Sequence, residues 1–197
     1  MAIPRPQPLE LHAHAMDNLQ YIRETIERAG SFTAVPGLGG VLMGSTALVA
    51  TWVAGPAAHG ARWVAVWMAE AVVAAAIGIA GAAWKSHHAR MALLSGPGRK
   101  FAAAFSPAMV AGVLLSVVLV RHGLTELLPG LWLLLYGTAI VSGGATSVRI
   151  VPLMGLCFMA AGAVALVSPA MGCALLAAGF GGLHVVFGTA IAVKYGG

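Results

Sequence analysis

The stretch Arg62–Trp84, RWVAVWMAEAVVAAAIGIAGAAW, decides the fold class. It is long enough, as a helix, to cross the roughly 30 Å hydrocarbon core of a bilayer, and Glu70 is its one internal charge. Further apolar stretches of the same kind lie between Val35 and Val193, and of the six carboxylates in the chain only Glu70 falls inside any of them. The pattern specifies an integral membrane protein.

Composition agrees. The mean hydropathy is +0.89, with 59% hydrophobic and 9% charged residues, against a soluble norm of about 25% charged. The 197 residues leave room for one membrane domain and no second globular one. A pI near 9.8 would point to nucleic acid in a soluble protein. Here the basic residues sit in loops, where anionic headgroups and topology account for them, so the bilayer and not nucleic acid is the expected partner. Cys157 and Cys173 form no CxxC or metal spacing and read as small membrane-buried thiols.

Two parts are expected. Residues 1–31 form a cytoplasmic N-terminal segment, and residues 32–197 form a transmembrane domain. The N-terminal segment lacks the apolar core and cleavage site of a signal peptide. From Leu9 to Ala29 it reads as an amphipathic helix, with Leu11, Ala15, Leu19, Ile22 and Ile26 on one stripe and Glu24–Arg28 as an i,i+4 pair. Such a helix suits the membrane surface, the end of the bundle or a docking partner.

The transmembrane part reads as an all-α, polytopic helical bundle of six helices, at 35–54, 62–84, 103–120, 129–147, 150–167 and 173–193. Gly55-Pro56, Ser95-Gly96-Pro97-Gly98 and Ser168-Pro169 serve as breakers between them. With the N-terminus inside, one side holds Arg5, Arg23, Arg28, Lys85, Arg90, Arg99, Lys100, Arg149 and Lys194, and the other only Arg62 and Arg121. That bias predicts both termini in the cytoplasm, with the chain in the inner membrane.

The six helices also group as three hairpins. Glu70-to-Ile77, Leu133-to-Ile140 and His184-to-Ile191 share one spacing, and Gly137–Ile140 and Gly188–Ile191 both read Gly-Thr-Ala-Ile. The first and fifth helices both begin Val-Pro, at Val35-Pro36 and Val151-Pro152. A threefold repeat would put Glu70 and His184 at equivalent depths. The segment Gly162-Ala-Val-Ala-Leu-Val-Ser-Pro169, followed by a helix spaced by Gly179, Gly182 and Gly188, resembles the two-helix repeat of HdeD-type acid-resistance membrane proteins. Gly44 to Pro56 follows the pattern more loosely, and the middle pair departs from it with Arg121-His122 and Pro129. The resemblance implies an inner-membrane protein of envelope or acid stress, with no catalytic residues to carry over.

Glu70 is the leading candidate for chemistry. A carboxylate in hydrocarbon must face the bundle interior, carry a proton or be paired, which opens proton exchange or a simple interhelical hydrogen bond. His184, in Gly-Gly-Leu-His-Val-Val-Phe, could pair with Glu70, relay protons or ligate a haem iron or chlorin magnesium. No second buried histidine is evident, since His59, His87, His88 and His122 read as loop residues. Tyr136 could hydrogen-bond Glu70. Arg99 and Lys100, in the loop Ser95–Lys100, and Arg149 are candidates for contact with lipid headgroups or phosphate. His12, His14, His87 and His88 read as solvated, and no metal site is expected. Trp52, Trp63, Trp84 and Trp132 lie near helix ends as interfacial anchors, with Trp67 one turn deeper. Gly40, Gly44, Gly182 and Gly188 are the expected helix-packing glycines.

Three readings of function follow. The first is a non-catalytic membrane protein, either an HdeD-like stress-related bundle or an accessory subunit of a larger complex. The second is a small proton-linked transporter or channel using Glu70 and His184. The third is a redox or pigment subunit holding a cofactor on His184. The chain lacks HExxH, GxSxG and paired intramembrane aspartates, so no enzyme is expected and no cofactor is required. A homo-oligomer or other membrane subunits are the expected protein partners.

Overall fold

A computed structural model describes residues 16–22, 36–56, 60–88, 96–145 and 147–195. Six of its helices are long and apolar enough to cross a membrane: α1 (Gly37–Ala54), α2 (Gly60–His88), α3 (Gly96–Arg121), α4 (Thr125–Gly144), α5 (Ile150–Val167) and α6 (Pro169–Tyr195). The protein is an all-α polytopic membrane bundle. Of the expected amphipathic helix, residues 16–22 are helical and exposed, while the remainder of its stripe lies outside the described residues.

Helix ends follow the punctuation. Gly55, at φ 85°, takes the left-handed conformation that terminates α1, and its N–H donates to the Thr51 carbonyl. Pro169 opens α6 in the first turn, where its missing N–H costs nothing. Several boundaries depart from expectation, with α4 ending at Gly144 rather than at 147 and α6 opening at Pro169 rather than at 173. Gly96–Lys100 is the first turn of α3 and not a loop, since Pro97 is tolerated at the start of a helix. At its other end α2 runs on through His87 and His88, so these are helical residues and not loop residues. The His88 ring bonds Nδ1 to the Trp84 carbonyl at 2.9 Å and packs on the Trp84 indole, which prolongs the helix.

The helices pack mainly as neighbours in sequence, with α1 pairing with α2, α3 with α4 and α4 with α5, while α6 returns along α1. Two crossings bring backbones into near contact. In the α1–α6 crossing, a β-carbon on Gly44 would lie 2.6 Å from Gly181 O and 2.9 Å from Val185 N. One on Gly188 would lie 2.8 Å from Gly37 O and 2.7 Å from Val41 N, while Gly37 abuts Ala192 and Gly181 abuts Leu48. In the α4–α5 crossing the same contacts recur. Gly162 abuts Gly130 and Leu134, Gly137 abuts Gly155 O and Met159 N, Gly155 abuts Val141, and Gly130 abuts Leu166. Each residue of α5 stands at one constant offset from its α1 counterpart, and each residue of α4 at one constant offset from its α6 counterpart. The first hairpin breaks this scheme, since Gly78 and Gly81 of α2 are turned onto Met43 and Pro36 of α1.

Gly40, Gly44 and Gly188 therefore pack helices, as their spacing implies. Gly182 does not: a β-carbon there would meet nothing within 4 Å. The reason is ordinary helical spacing: Gly181, Val185, Gly188 and Ala192 take the face towards α1, as Gly130, Leu134, Gly137 and Val141 take the face of α4 towards α5, and Gly182 is turned away from it.

Candidate functional site

The interior is an aromatic column. Trp63 and Trp67, one turn apart on α2, share a face and both point inwards, at 2% and 5% exposure. Trp63 stacks on Trp132 of α4 at 5.5 Å between ring centroids and 6° between planes, and Trp67 lies against Phe180 of α6 at 6.3 Å. These three tryptophans are core residues and not interfacial anchors. Burying their large rings against one another outweighs a place in the headgroups. Trp52, at 84% exposure, and Trp84 remain on the surface. The Trp63 Nε1–H faces no oxygen or nitrogen acceptor, and the soft sulfur of Cys173 is its polar neighbour. Both cysteines are free thiols.

Below the tryptophans sits His184. A π-turn over Ala177–Leu183 ends just before this residue, and three aromatic rings close around the imidazole. Phe158 of α5 lies 5.2 Å from it, Phe180 is stacked at 6.0 Å, and Tyr136 of α4 lies at 5.4 Å between centroids. The Nδ1 position lies 2.9 Å from the Phe180 carbonyl, which can only accept, so Nδ1 carries the proton. The Nε2 position, 2.7 Å from the Tyr136 hydroxyl, then accepts from it. His184 is thus a neutral imidazole with both nitrogens satisfied, and no ring nitrogen is left for a metal.

Glu70 occupies a different place. It lies half-buried on α2, and its Oε1 is 2.8 Å from Thr46 Oγ1 of α1. The expected Tyr136–Glu70 bond does not form, because α4 turns Tyr136 towards α5 and α6 while Glu70 looks onto α1. Nor is His184 bonded to Glu70, since Tyr136 and Phe180 take both of its nitrogens. The two ionisable groups share the membrane without sharing a hydrogen bond.

The basic candidates lie elsewhere again. Arg99 and Lys100 are exposed in the first turn of α3, and Arg149 is exposed just before α5. At the same end of the bundle, Lys85 Nζ donates to the Tyr195 carbonyl at 3.2 Å and joins the last turns of α2 and α6. His59, His12 and His14 lie outside the described residues.

Sequence reading did not single out Thr46, Phe158 or Phe180. Thr46 carried a signal, being a hydroxyl residue at mid-helix in a span adjacent in sequence to that of Glu70. Phe158 and Phe180 carried none, since apolar rings in apolar helices are indistinguishable without a fold.

A buried His–Tyr pair in an aromatic column, with a separate carboxyl–hydroxyl pair at a helix interface, defines a helical membrane bundle with two separate interior polar pairs. Comparison with protein-family models, with curated proteins and with solved structures found no match.

Proposed function

We propose that the chain is a non-catalytic, hairpin-built bundle of the inner membrane, HdeD-like in organisation, with both termini in the cytoplasm. One observation carries this reading: the α1–α6 and α4–α5 crossings repeat the same contacts at constant sequence offsets. A hairpin unit used more than once, as in HdeD-type proteins, produces that relation directly. The satisfied nitrogens of His184 support a structural role for it over cofactor ligation. The grouping of Lys85, Arg99, Lys100, Arg149 and Lys194 at one end, against Arg62 and Arg121 at the other, supports the orientation.

The test is isolation from native membranes in mild detergent, reading subunit composition by mass spectrometry and the visible spectrum of the same fraction. A colourless preparation containing this chain alone, with acid survival reduced in cells lacking it, is expected. Foreign subunits at fixed stoichiometry would make it an accessory subunit instead. A visible band lost in His184→Ala would overturn the reading in favour of a cofactor protein.

A further inference from the structure

Thr46 has one hydroxyl proton and three oxygens around it. Its Oγ1 lies 3.2 Å from the Leu42 carbonyl, 3.0 Å from the Met43 carbonyl and 2.8 Å from Glu70 Oε1. The two carbonyls can only accept. If Glu70 were ionised it too could only accept, and a single proton would serve three acceptors within hydrogen-bond range. At least one close oxygen–oxygen approach would then be repulsive. A proton on the carboxyl removes the conflict: Glu70 donates to Thr46 Oγ1, and Thr46 donates back to the carbonyls of its own helix.

Among the described residues the surroundings supply no alternative counter-charge. α1, the helix packed on this side of α2, carries no Asp, Glu, Lys, Arg or His between Gly37 and Ala54. On α2 itself the nearest cations are Arg62, roughly 12 Å away along the axis, and Lys85, roughly 22 Å away. From the aromatic column, Trp67 and Phe180 present apolar rings, and His184 and Tyr136 are committed to each other. A lone carboxylate held by one hydroxyl does not recover the cost of leaving water.

We infer that Glu70 is a membrane-embedded proton-binding site, occupied at neutral pH, in which the carboxyl donates to Thr46. The site is half-exposed beside the lipid-facing residues Met68, Ala69, Ala71 and Val72 of α2. Access is therefore from the hydrocarbon, and its matching modification chemistry is that of a lipid-soluble carbodiimide such as dicyclohexylcarbodiimide. The acid adds across one C=N bond: the carboxyl oxygen bonds to the central carbon and its proton moves to nitrogen. Acyl migration to nitrogen then gives a stable N-acylurea, with no leaving group. This inference is independent of the hairpin reading above.

The deciding measurement is the infrared difference between wild type and Glu70→Gln, both in lipid vesicles at neutral pH. A protonated-carboxyl C=O band lost in the variant is expected, moving to higher frequency in Thr46→Val as its hydrogen bond disappears. Carboxylate bands in that difference would overturn the proposal. In the same vesicles, dicyclohexylcarbodiimide should leave one adduct on the Glu70 peptide, and a water-soluble carbodiimide should leave at least tenfold less. Equal labelling by both reagents, or none by the lipid-soluble one, would also overturn it. The labelling arm reads wild type alone, so it holds even if one variant folds poorly.

Discussion

Replacing Gly188 by alanine places a methyl group against backbone on three sides. The new β-carbon would stand 2.7 Å from Val41 N, 2.8 Å from Gly37 O and 2.9 Å from the Gly40 carbonyl carbon. None of these is the end of a flexible side chain, so α1 and α6 must part. Reaching the ordinary optimum of 3.5–4.0 Å requires a retreat on the order of 1 Å, felt along the whole crossing. Overpacking of this kind typically costs about 1–3 kcal/mol. In a chain of this size that lowers the unfolding midpoint by roughly 2–12 °C. The assay is thermal unfolding in detergent, followed by the emission of the buried Trp63 and Trp67 and the half-buried Trp132. Gly182→Ala, in the same helix with open space around it, is the control and should stay within about 0.5 kcal/mol of wild type. Gly137→Ala meets Gly155 O at 2.6 Å and Met159 N at 2.7 Å, the counterpart contacts, and should lose a similar amount. Equal midpoints for Gly188→Ala and Gly182→Ala would refute the close-crossing reasoning.

Two further outcomes are expected. Tyr136→Phe leaves His184 Nε2 buried without a donor and should cost about 1–3 kcal/mol in the same unfolding assay, most of it recovered in the double variant Tyr136→Phe/His184→Phe. Trp63→Ala should cost about 3–5 kcal/mol because its ring is fully enclosed, whereas Trp52→Ala, on the lipid side, should change the midpoint by no more than about 0.5 kcal/mol.

The candidate site was legible only in part. Glu70 and His184 stood out because ionisable groups are rare in such helices, and Tyr136 stood out as a hydroxyl within reach of forming a hydrogen bond to Glu70. Their pairing was not readable: Tyr136 serves His184, and Glu70 serves Thr46. The tryptophans illustrate why. Position near a helix end is shared by an anchor and by a core residue, and Trp63 and Trp67 differ from Trp52 only in which way their helix is turned.

What the sequence determined by itself was the number of membrane-crossing helices and the approximate place of each in the chain. A span is a local property: length, apolarity and a breaker at each end suffice, because hydrocarbon forces every backbone group into a helix. What the tertiary structure alone decided was rotation and partnership. Six helices that are apolar all round have no amphipathic stripe to set their facing, so the choice falls to interhelical fit. Glycine gaps at Gly37, Gly44, Gly181 and Gly188 fix one crossing, the indoles of Trp63, Trp67 and Trp132 fill the centre, and the facing of α6 puts Gly181 and not Gly182 against α1.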